Sequence, residues 1–353
     1  MKKIVIKIGS SVIAPQGELD YRFLRGLASQ IKTLRKEGFV VVLVSSGAIA
    51  LGRPLLGVTL KDRLSLNQLQ AAASLGQIKL MDVYNRIFSR LKINCAQLLL
   101  TWDDFEKRNR YINISHTLNV LFKRGILPIA NENDVVSTDE IKFGDNDKLS
   151  ALLASLISAG KLVILSDVKG FLKEGQLVRR IENINGELLR FARGSSSIWT
   201  KGGMRSKLEA ARIATSSGVS TFIAKGQTPG IILQIVRGED FEGTSFVPAM
   251  RISARRRWIA FARKSRGVLY IDEGAGEAIV NNKKSLLAVG VKKVEGDFAK
   301  GDSVAVKNNK GRILGYGLTN FSASELKKNL GKKLEKEVIH RDNLAIVKQN
   351  GQT

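Results

Sequence analysis

Gly125-Ile126-Leu127-Pro128-Ile129-Ala130-Asn131-Glu132-Asn133-Asp134 decides the fold, because an apolar run stops abruptly in a cluster of carboxylates and carboxamides. A second cluster, Gly144-Asp145-Asn146-Asp147, follows Ile141-Lys142-Phe143 and opens a helix-periodic segment from Leu149 to Ile157. Strand, acidic loop, then helix N-terminus is the order in which open α/β sheets build sites outside the carboxyl ends of their strands. Side chains of these types can hold a substrate ammonium group, a cationic catalytic residue or a metal. Asp and Asn also serve as ordinary turn and cap residues. Two clusters in close succession, each at an expected sheet edge, favour a site.

Upstream the pattern repeats. Ile4-Val5-Ile6-Lys7-Ile8 reads as a strand broken by Gly9-Ser10-Ser11. Leu24, Leu27, Ile31 and Leu34 recur at helical spacing, and Glu37-Gly38 ends that helix. Val40 to Val44 is a continuous apolar run, as expected of a buried parallel strand, and it ends in Ser45-Ser46-Gly47-Ala48. A long helix is expected from Leu66 through Leu91, a strand over Cys95–Leu100 and a helix over Arg110–Lys123. Downstream, Leu162–Leu165 ends in Ser166-Asp167-Val168-Lys169-Gly170; Lys207–Ser216 reads as helix and Thr221–Ala224 as strand. Such alternation predicts an α/β fold, a mostly parallel sheet sandwiched by helices. After Pro248 the texture changes. Arg255-Arg256-Arg257-Trp258 leads into short strands and Gly-rich turns, among them Asp272-Glu273-Gly274, Lys300-Gly301-Asp302 and Asn308-Asn309-Lys310-Gly311. A small β-rich second domain is expected there.

The 353 residues are enough for two cores, and 44% hydrophobic with 25% charged residues is ordinary for a globular protein. No apolar run approaches the roughly 20 residues that cross a bilayer. The basic and apolar start is interrupted by Lys7, too early for a signal peptide. A single cysteine, Cys95, excludes an internal disulfide and a multi-cysteine zinc site, and fits a reducing cytoplasm. The net charge is +25; residues 251–353 hold 22 Lys and Arg against 10 Asp and Glu, so basicity is denser near the C-terminus. Attraction to polyanions follows.

Two strand-to-glycine turns, Lys7-Ile8-Gly9-Ser10-Ser11 and Ser45-Ser46-Gly47-Ala48, offer backbone N–H groups at strand ends. Thr200-Lys201-Gly202-Gly203-Met204-Arg205-Ser206-Lys207 leads glycines and cations into a helix. Small residues let an anion approach the backbone, and a helix N-terminus favours negative charge. Each turn alone could be a tight connection; three in one α/β domain favour phosphate handling. GxxxxGK[ST] is absent, and no GxGxxG follows the first strand, so neither an ordinary P-loop nor a Rossmann dehydrogenase is indicated.

The chain resembles the amino-acid kinase family, followed by a PUA domain. The matching residues are Val5 to Ser11, Val44 to Arg53, Gln68 with Ala71-Ala72 and Gly76-Gln77, and Asn131 to Asp134. They continue with Gly144 to Asp147, Ser166 to Gly170, and Gly202-Gly203-Met204 with Lys207. The match runs from the first strand to about Arg341, and implies a kinase domain over 1–245, a linker over 246–264 and a PUA domain over 265–345. Within the family the match is to enzymes that phosphorylate the side-chain carboxylate of L-glutamate with ATP, the first step of proline biosynthesis. The resemblance further implies Mg²⁺, a homo-oligomer and feedback inhibition by L-proline. Two alternatives stay open. One is a relative acting on another carboxylate or carbamate; the other is a kinase whose PUA domain also binds RNA. No exposed aromatics interleave with the basic residues, as stacking on single-stranded RNA would need.

Residue by residue, the resemblance places Lys7 and Lys207 on the transferring phosphoryl group, with Asp147 orienting both. Ser46, Asp134, Asn146 and Asp145 match the glutamate-binding positions. Nucleotide contacts fall to Lys7, Gly9, Ser10, Ser166, Asp167, Lys201, Gly202, Gly203, Met204 and Lys207, with Gly9, Ser10 and Gly47 expected to offer backbone donors. No residue is assigned to a metal. The chain departs from the family where a longer loop usually covers the nucleotide. Here Leu172 to Arg180 is short and basic, and Trp199-Thr200-Lys201 replaces the usual small residues before Gly202. Lys173, Arg179, Arg180 and Lys201 are expected to attract any triphosphate without reading its base. His116 reads as structural, His340 as surface, Cys95 as core packing, and Trp102 and Trp199 as loop residues.

Overall fold

A computed structural model describes residues 2–59, 61–136, 145–184, 186–191, 203–248, 259 and 265–346. The chain divides into two compact units, residues 1–104 with 109–251 and residues 105–108 with 252–353. The first unit is built on strands β1 (Lys2–Ile8), β2 (Phe39–Ser45), β3 (Cys95–Leu100), β4 (Leu127–Glu132) and β5 (Lys161–Ser166). Later strands are β6 (Leu172–Lys173), β7 (Gln176–Leu177), β8 (Arg180–Ile181), β9 (Ser220–Lys225) and β10 (Gly243–Phe246). Its main sheet runs β3-β4-β2-β1-β5-β9-β10-β8 and is parallel except where β10 turns back against β9. Helices α1 (Ser10–Ile13), α2 (Tyr21–Lys36), α3 (Ala48–Gly52), α4 (Leu66–Ser89), α5 (Trp102–Glu106) and α6 (Arg108–Lys123) lie among the early strands. Then come α7 (Asp145–Leu156), α8 (Gly186–Phe191), α9 (Met204–Ser216) and α10 (Ile231–Arg237). No helix among the described residues is long and apolar enough to cross a membrane.

Alternation along β1 explains where the chemistry comes to lie. Ile4, Ile6 and Ile8 share one face with Val41 and Leu43, packed under Leu24, Leu27, Ile31 and Leu34 of α2 and Leu80 and Tyr84 of α4. Successive side chains point to opposite faces, so Val5 and Lys7 point the other way, where Lys7 meets α7. Within the first face, α3 and α4 touch backbone to backbone. A Cβ on Gly52 would stand 1.8 Å from the Ala72 carbonyl oxygen, and one on Gly76 1.8 Å from that of Ala48. Only glycine fits either position. α4 starts in a reciprocal cap between Ser65 and Gln68.

The second unit has a sheet of β11 (Gly267–Ile271), β12 (Val291–Gly296), β13 (Ser303–Asn308), β14 (Ile313–Leu318) and β15 (Leu344–Ile346), in the order β12-β11-β13-β14-β15. Leu269, Ile271, Leu286, Val304 and Val306 form its core. Asp272-Glu273-Gly274-Ala275, expected as a turn, instead starts the helix Glu273–Val280. The Asp272 carboxylate accepts from the Ala275 N–H at 2.8 Å and caps it. Arg255-Arg256-Arg257 and Trp199 lie outside the described residues.

Candidate active site

At the end of β1, Gly9 bridges to the neighbouring strand: its N–H donates to the Leu165 carbonyl at 3.0 Å. Gly9 therefore supplies close approach, not the backbone donor expected of it. A Cβ there would stand 3.2 Å from the Leu165 oxygen. Ser10 follows as the first residue of α1. At the end of β2, the Ser46 N–H donates to Ile8 at 3.1 Å. Gly47 then takes a left-handed conformation at φ 104°, which turns the chain into α3. Two adjacent parallel strands thus end in small-residue turns tied to their neighbours.

Asp147, the third residue of α7, is the centre of the site and is fully buried. Its Oδ1 stands 2.5 Å from the Lys7 Nζ, and its Oδ2 stands 3.4 Å from the Lys207 Nζ of α9. The Ser206 hydroxyl lies 2.7 Å from Oδ2 and 3.0 Å from the Gly203 carbonyl, and gives its single hydrogen to one of them at a time. Oδ1 is engaged by the Lys7 ammonium in a close, buried ion pair. Burial pulls the Lys7 ammonium below the usual lysine range. Asp147 opposes this, and Lys207 adds to the lowering. For Asp147, burial alone would raise the carboxyl, but Lys7 and Lys207 outweigh it and hold it below the usual carboxylate range. Two cations on one carboxylate leave a net positive centre where three elements meet.

Beside it lies a carboxamide cluster. Asn146 Nδ2 donates to Ser46 Oγ at 3.2 Å and to Asn131 Oδ1 at 2.8 Å. The Glu132 N–H donates to Asn131 Oδ1 at 2.9 Å and Asn146 Oδ1 at 3.1 Å, while Asn131 Nδ2 donates to Gln77 Oε1 of α4 at 2.7 Å. Asp134 is half-buried in the turn after β4. Asp145 begins α7, but its side chain lies outside the described residues, as do Lys201 and Gly202. The structure thus brings Ser46 and Asn146 into contact, and Lys7, Asp147 and Lys207 into another group. Sequence reasoning gave Ser206, Asn131 and Gln77 no role. Asn131 and Gln77 lay inside matched motifs, and Ser206 lay inside the Thr200–Lys207 stretch read as an anion-binding turn, without a role of its own.

At the end of β5, the Ser166 hydroxyl donates to the exposed Asp167 at 2.9 Å, and Asp167 lies near enough to Lys7 to favour its charged form. Gly203 and Met204 open α9. The basic segment forms a β6–β7 hairpin turned by Glu174 and Gly175 at φ 52° and 80°. Arg179 is held by Asp240 at 3.2 Å and by the Phe241 carbonyl at 2.6 Å, and Arg180 by Glu182 at 3.2 Å. Trp102 begins α5 instead of lying in a loop, and the Lys148 Nζ stands 3.1 Å from its ring centroid. His116 is exposed on α6, Cys95 packs against the core with its thiol pushed up to about 11 by burial, and His340 accepts from the Asp342 N–H.

Residues 2–225 match the amino acid kinase family, and residues 267–341 match the PUA domain. Curated relatives include the glutamate 5-kinase of Caldanaerobacter subterraneus subsp. tengcongensis, 41% identical over 98% of both chains. The glutamate 5-kinase of Gloeobacter violaceus is 43% identical over 98% of this chain and 99% of its own. Among solved structures, a carbamate kinase from Giardia superposes with a TM-score of 0.51 at 19% identity, over 70% of this chain and 99% of that one. That likeness concerns the fold alone.

Proposed function

The chain belongs to the amino acid kinase family and carries a PUA domain, and from that premise we propose that it transfers the γ-phosphoryl group of ATP to the side-chain carboxylate of L-glutamate. The products are ADP and L-glutamyl 5-phosphate, the activated carboxyl group from which proline synthesis starts. One observation carries the reading: Lys7 and Lys207 converge on the buried Asp147 at the carboxyl ends of the strands.

A glutamate carboxylate is already ionised at neutral pH, so the attack needs no general base. One carboxylate oxygen bonds to the γ-phosphorus while the bond from that phosphorus to the bridging oxygen breaks, and ADP leaves with the electron pair. Lys7 and Lys207 neutralise charge spread over the transferring oxygens, and Asp147 holds both cations in place. Catalysis of this kind is positioning plus electrostatics. Ser46, Asn146, Asp134 and Asp145 take the amino acid, with Asp134 suited to its ammonium group. Ser166, Asp167, Gly203, Met204, Lys201 and Gly202 take the nucleotide.

Among the described residues no group of three His, Cys, Asp or Glu is placed to cage a metal, and Asp147 is already neutralised by two lysines. That donor set fits Mg²⁺ held mainly by the triphosphate and water, with Asp167 as the available carboxylate. The ion would neutralise β- and γ-phosphate charge.

Coupled measurement of ADP release with glutamate, aspartate and N-acetylglutamate tests the reading. Glutamate should support turnover far better than the other two. Equal rates with aspartate, or turnover with carbamate alone, would refute it.

A further inference from the structure

A hydrogen-bonded chain runs from α4 to the acceptor site, and its direction is fixed by chemistry. The Glu132 N–H can only donate, and it faces Asn131 Oδ1 at 2.9 Å and Asn146 Oδ1 at 3.1 Å. Both amide oxygens are thereby assigned, and the nitrogens take the opposite sides. Asn131 Nδ2 must then donate to Gln77 Oε1, at 2.7 Å. Asn146 Nδ2 places its two hydrogens on Asn131 Oδ1 and Ser46 Oγ. Ser46 Oγ accepts from Asn146 and keeps its own hydrogen to donate.

We propose that Gln77 is a positioning residue for the acceptor substrate. By accepting from Asn131, it joins the Glu132 N–H in holding the amides in the orientation that leaves the Ser46 hydroxyl as a donor to an anionic oxygen of the amino acid. Gln77 touches no reacting atom. This rests on the reading of the site as one that phosphorylates glutamate.

The packing of α4 supports the assignment. Gly76, the residue before Gln77, seats α4 directly on the backbone of α3, which begins two residues after Ser46. Seven residues further, two turns along the same face, the buried Tyr84 hydroxyl pairs with Ser45 Oγ at 2.8 Å, and Ser45 Oγ donates to the Ser46 carbonyl at 3.0 Å. The helix therefore grips Ser46 from its own strand through Tyr84 and from β4 through Gln77.

Gln77→Leu removes the acceptor at nearly constant size. An ordinary hydrogen bond is worth a net of about 0.5–1.5 kcal/mol, so the glutamate KM should rise about 2- to 12-fold. The ATP KM and the Tm should stay near wild type. Gln77→Glu keeps an acceptor oxygen and should lie closer to wild type than Gln77→Leu does. A merely structural role would move both KM values or lower the Tm. If Gln77→Leu does not fold, Gln77→Met and Gln77→Glu make the same comparison. An unchanged glutamate KM in the Leu or Met variant, parallel rises for glutamate and ATP, or a Glu variant as impaired as the apolar one would overturn the proposal. A wild-type protein inert with glutamate would overturn the functional reading and this inference together; active wild type with indifferent variants overturns the inference alone.

Discussion

Asp147→Asn keeps the side chain's shape and removes its charge, and its consequences follow from three contacts. Lys7 lies 2.5 Å away, Lys207 3.4 Å and the Ser206 hydroxyl 2.7 Å, all around a carboxylate with no exposed surface. Without the carboxylate, two buried ammonium groups lose the negative charge they share. Removing one partner of a buried pair costs about 3–5 kcal/mol. For a domain of this size, that corresponds to a Tm lower by roughly 6–20 °C. Lys7→Met is the contrasting change. It removes a cation whose charged form burial already disfavours, and it leaves Asp147 paired with Lys207, so the loss should stay within about 2 kcal/mol. Both variants should lose about 10²–10⁴ in kcat, because Lys7→Met removes charge stabilisation from the transition state and Asp147→Asn removes the group that positions the two cations. The double variant Lys7→Met/Asp147→Asn leaves one ammonium instead of two without the Asp147 carboxylate and should be more stable than Asp147→Asn alone. Urea unfolding followed by fluorescence, with ADP release assayed alongside, measures all three. Lys7→Met as damaging to stability as Asp147→Asn, or no recovery in the double variant, would refute the reasoning.

Four further outcomes are expected. The lowered Lys7 ammonium loses its proton as pH rises through a value below the usual lysine range, so the alkaline limb of kcat/KM should fall there, and a limb at the usual lysine range would reject the assignment. At the acid end, the lowered Asp147 contributes stability that is fully present above the usual carboxylate range and is lost as pH falls through its folded value; unfolding midpoints of wild type and Asp147→Asn should converge in strong acid. Gly76→Ala would drive a Cβ to 1.8 Å from the Ala48 carbonyl oxygen, so α4 must shift; a loss of about 1–3 kcal/mol or more and a raised glutamate KM are expected, and an unchanged Tm would contradict the close packing. The β6–β7 hairpin turns in two residues and leaves few side chains to read a base, so GTP should support turnover within about tenfold of ATP in kcat/KM, or ~1.4 kcal/mol; a preference for ATP above a hundredfold would show that other contacts select adenine.

Much of the parallel sheet was legible, because its central strands are apolar runs stopped by small residues, and α2 shows its buried stripe at helical spacing. β6, β7 and β8 are two residues each, too short for periodicity to register. The helix Glu273–Val280 was hidden by Gly274 and Gly276, which have poor helix propensity, although Asp272 was a good cap. For the site, the side of β1 on which Lys7 lies follows from strand alternation. Its meeting with Asp147 and Lys207 is a long-range contact that no local pattern encodes. Ser206 on Asp147, the direction of the Gln77–Asn131–Asn146–Ser46 chain and the partners of Arg179 and Arg180 likewise depend on tertiary placement.

Trapping the product tests the central claim most directly. Acyl phosphates react with hydroxylamine to give hydroxamates, so incubation with ATP, Mg²⁺, L-glutamate and hydroxylamine should yield the γ-glutamyl hydroxamate in step with ADP. Omitting glutamate, or replacing either Lys7 or Lys207 with Met, should abolish it. ADP formed without any hydroxamate, or hydroxamate formation untouched by loss of both lysines, would contradict a carboxylate kinase built on Lys7, Asp147 and Lys207.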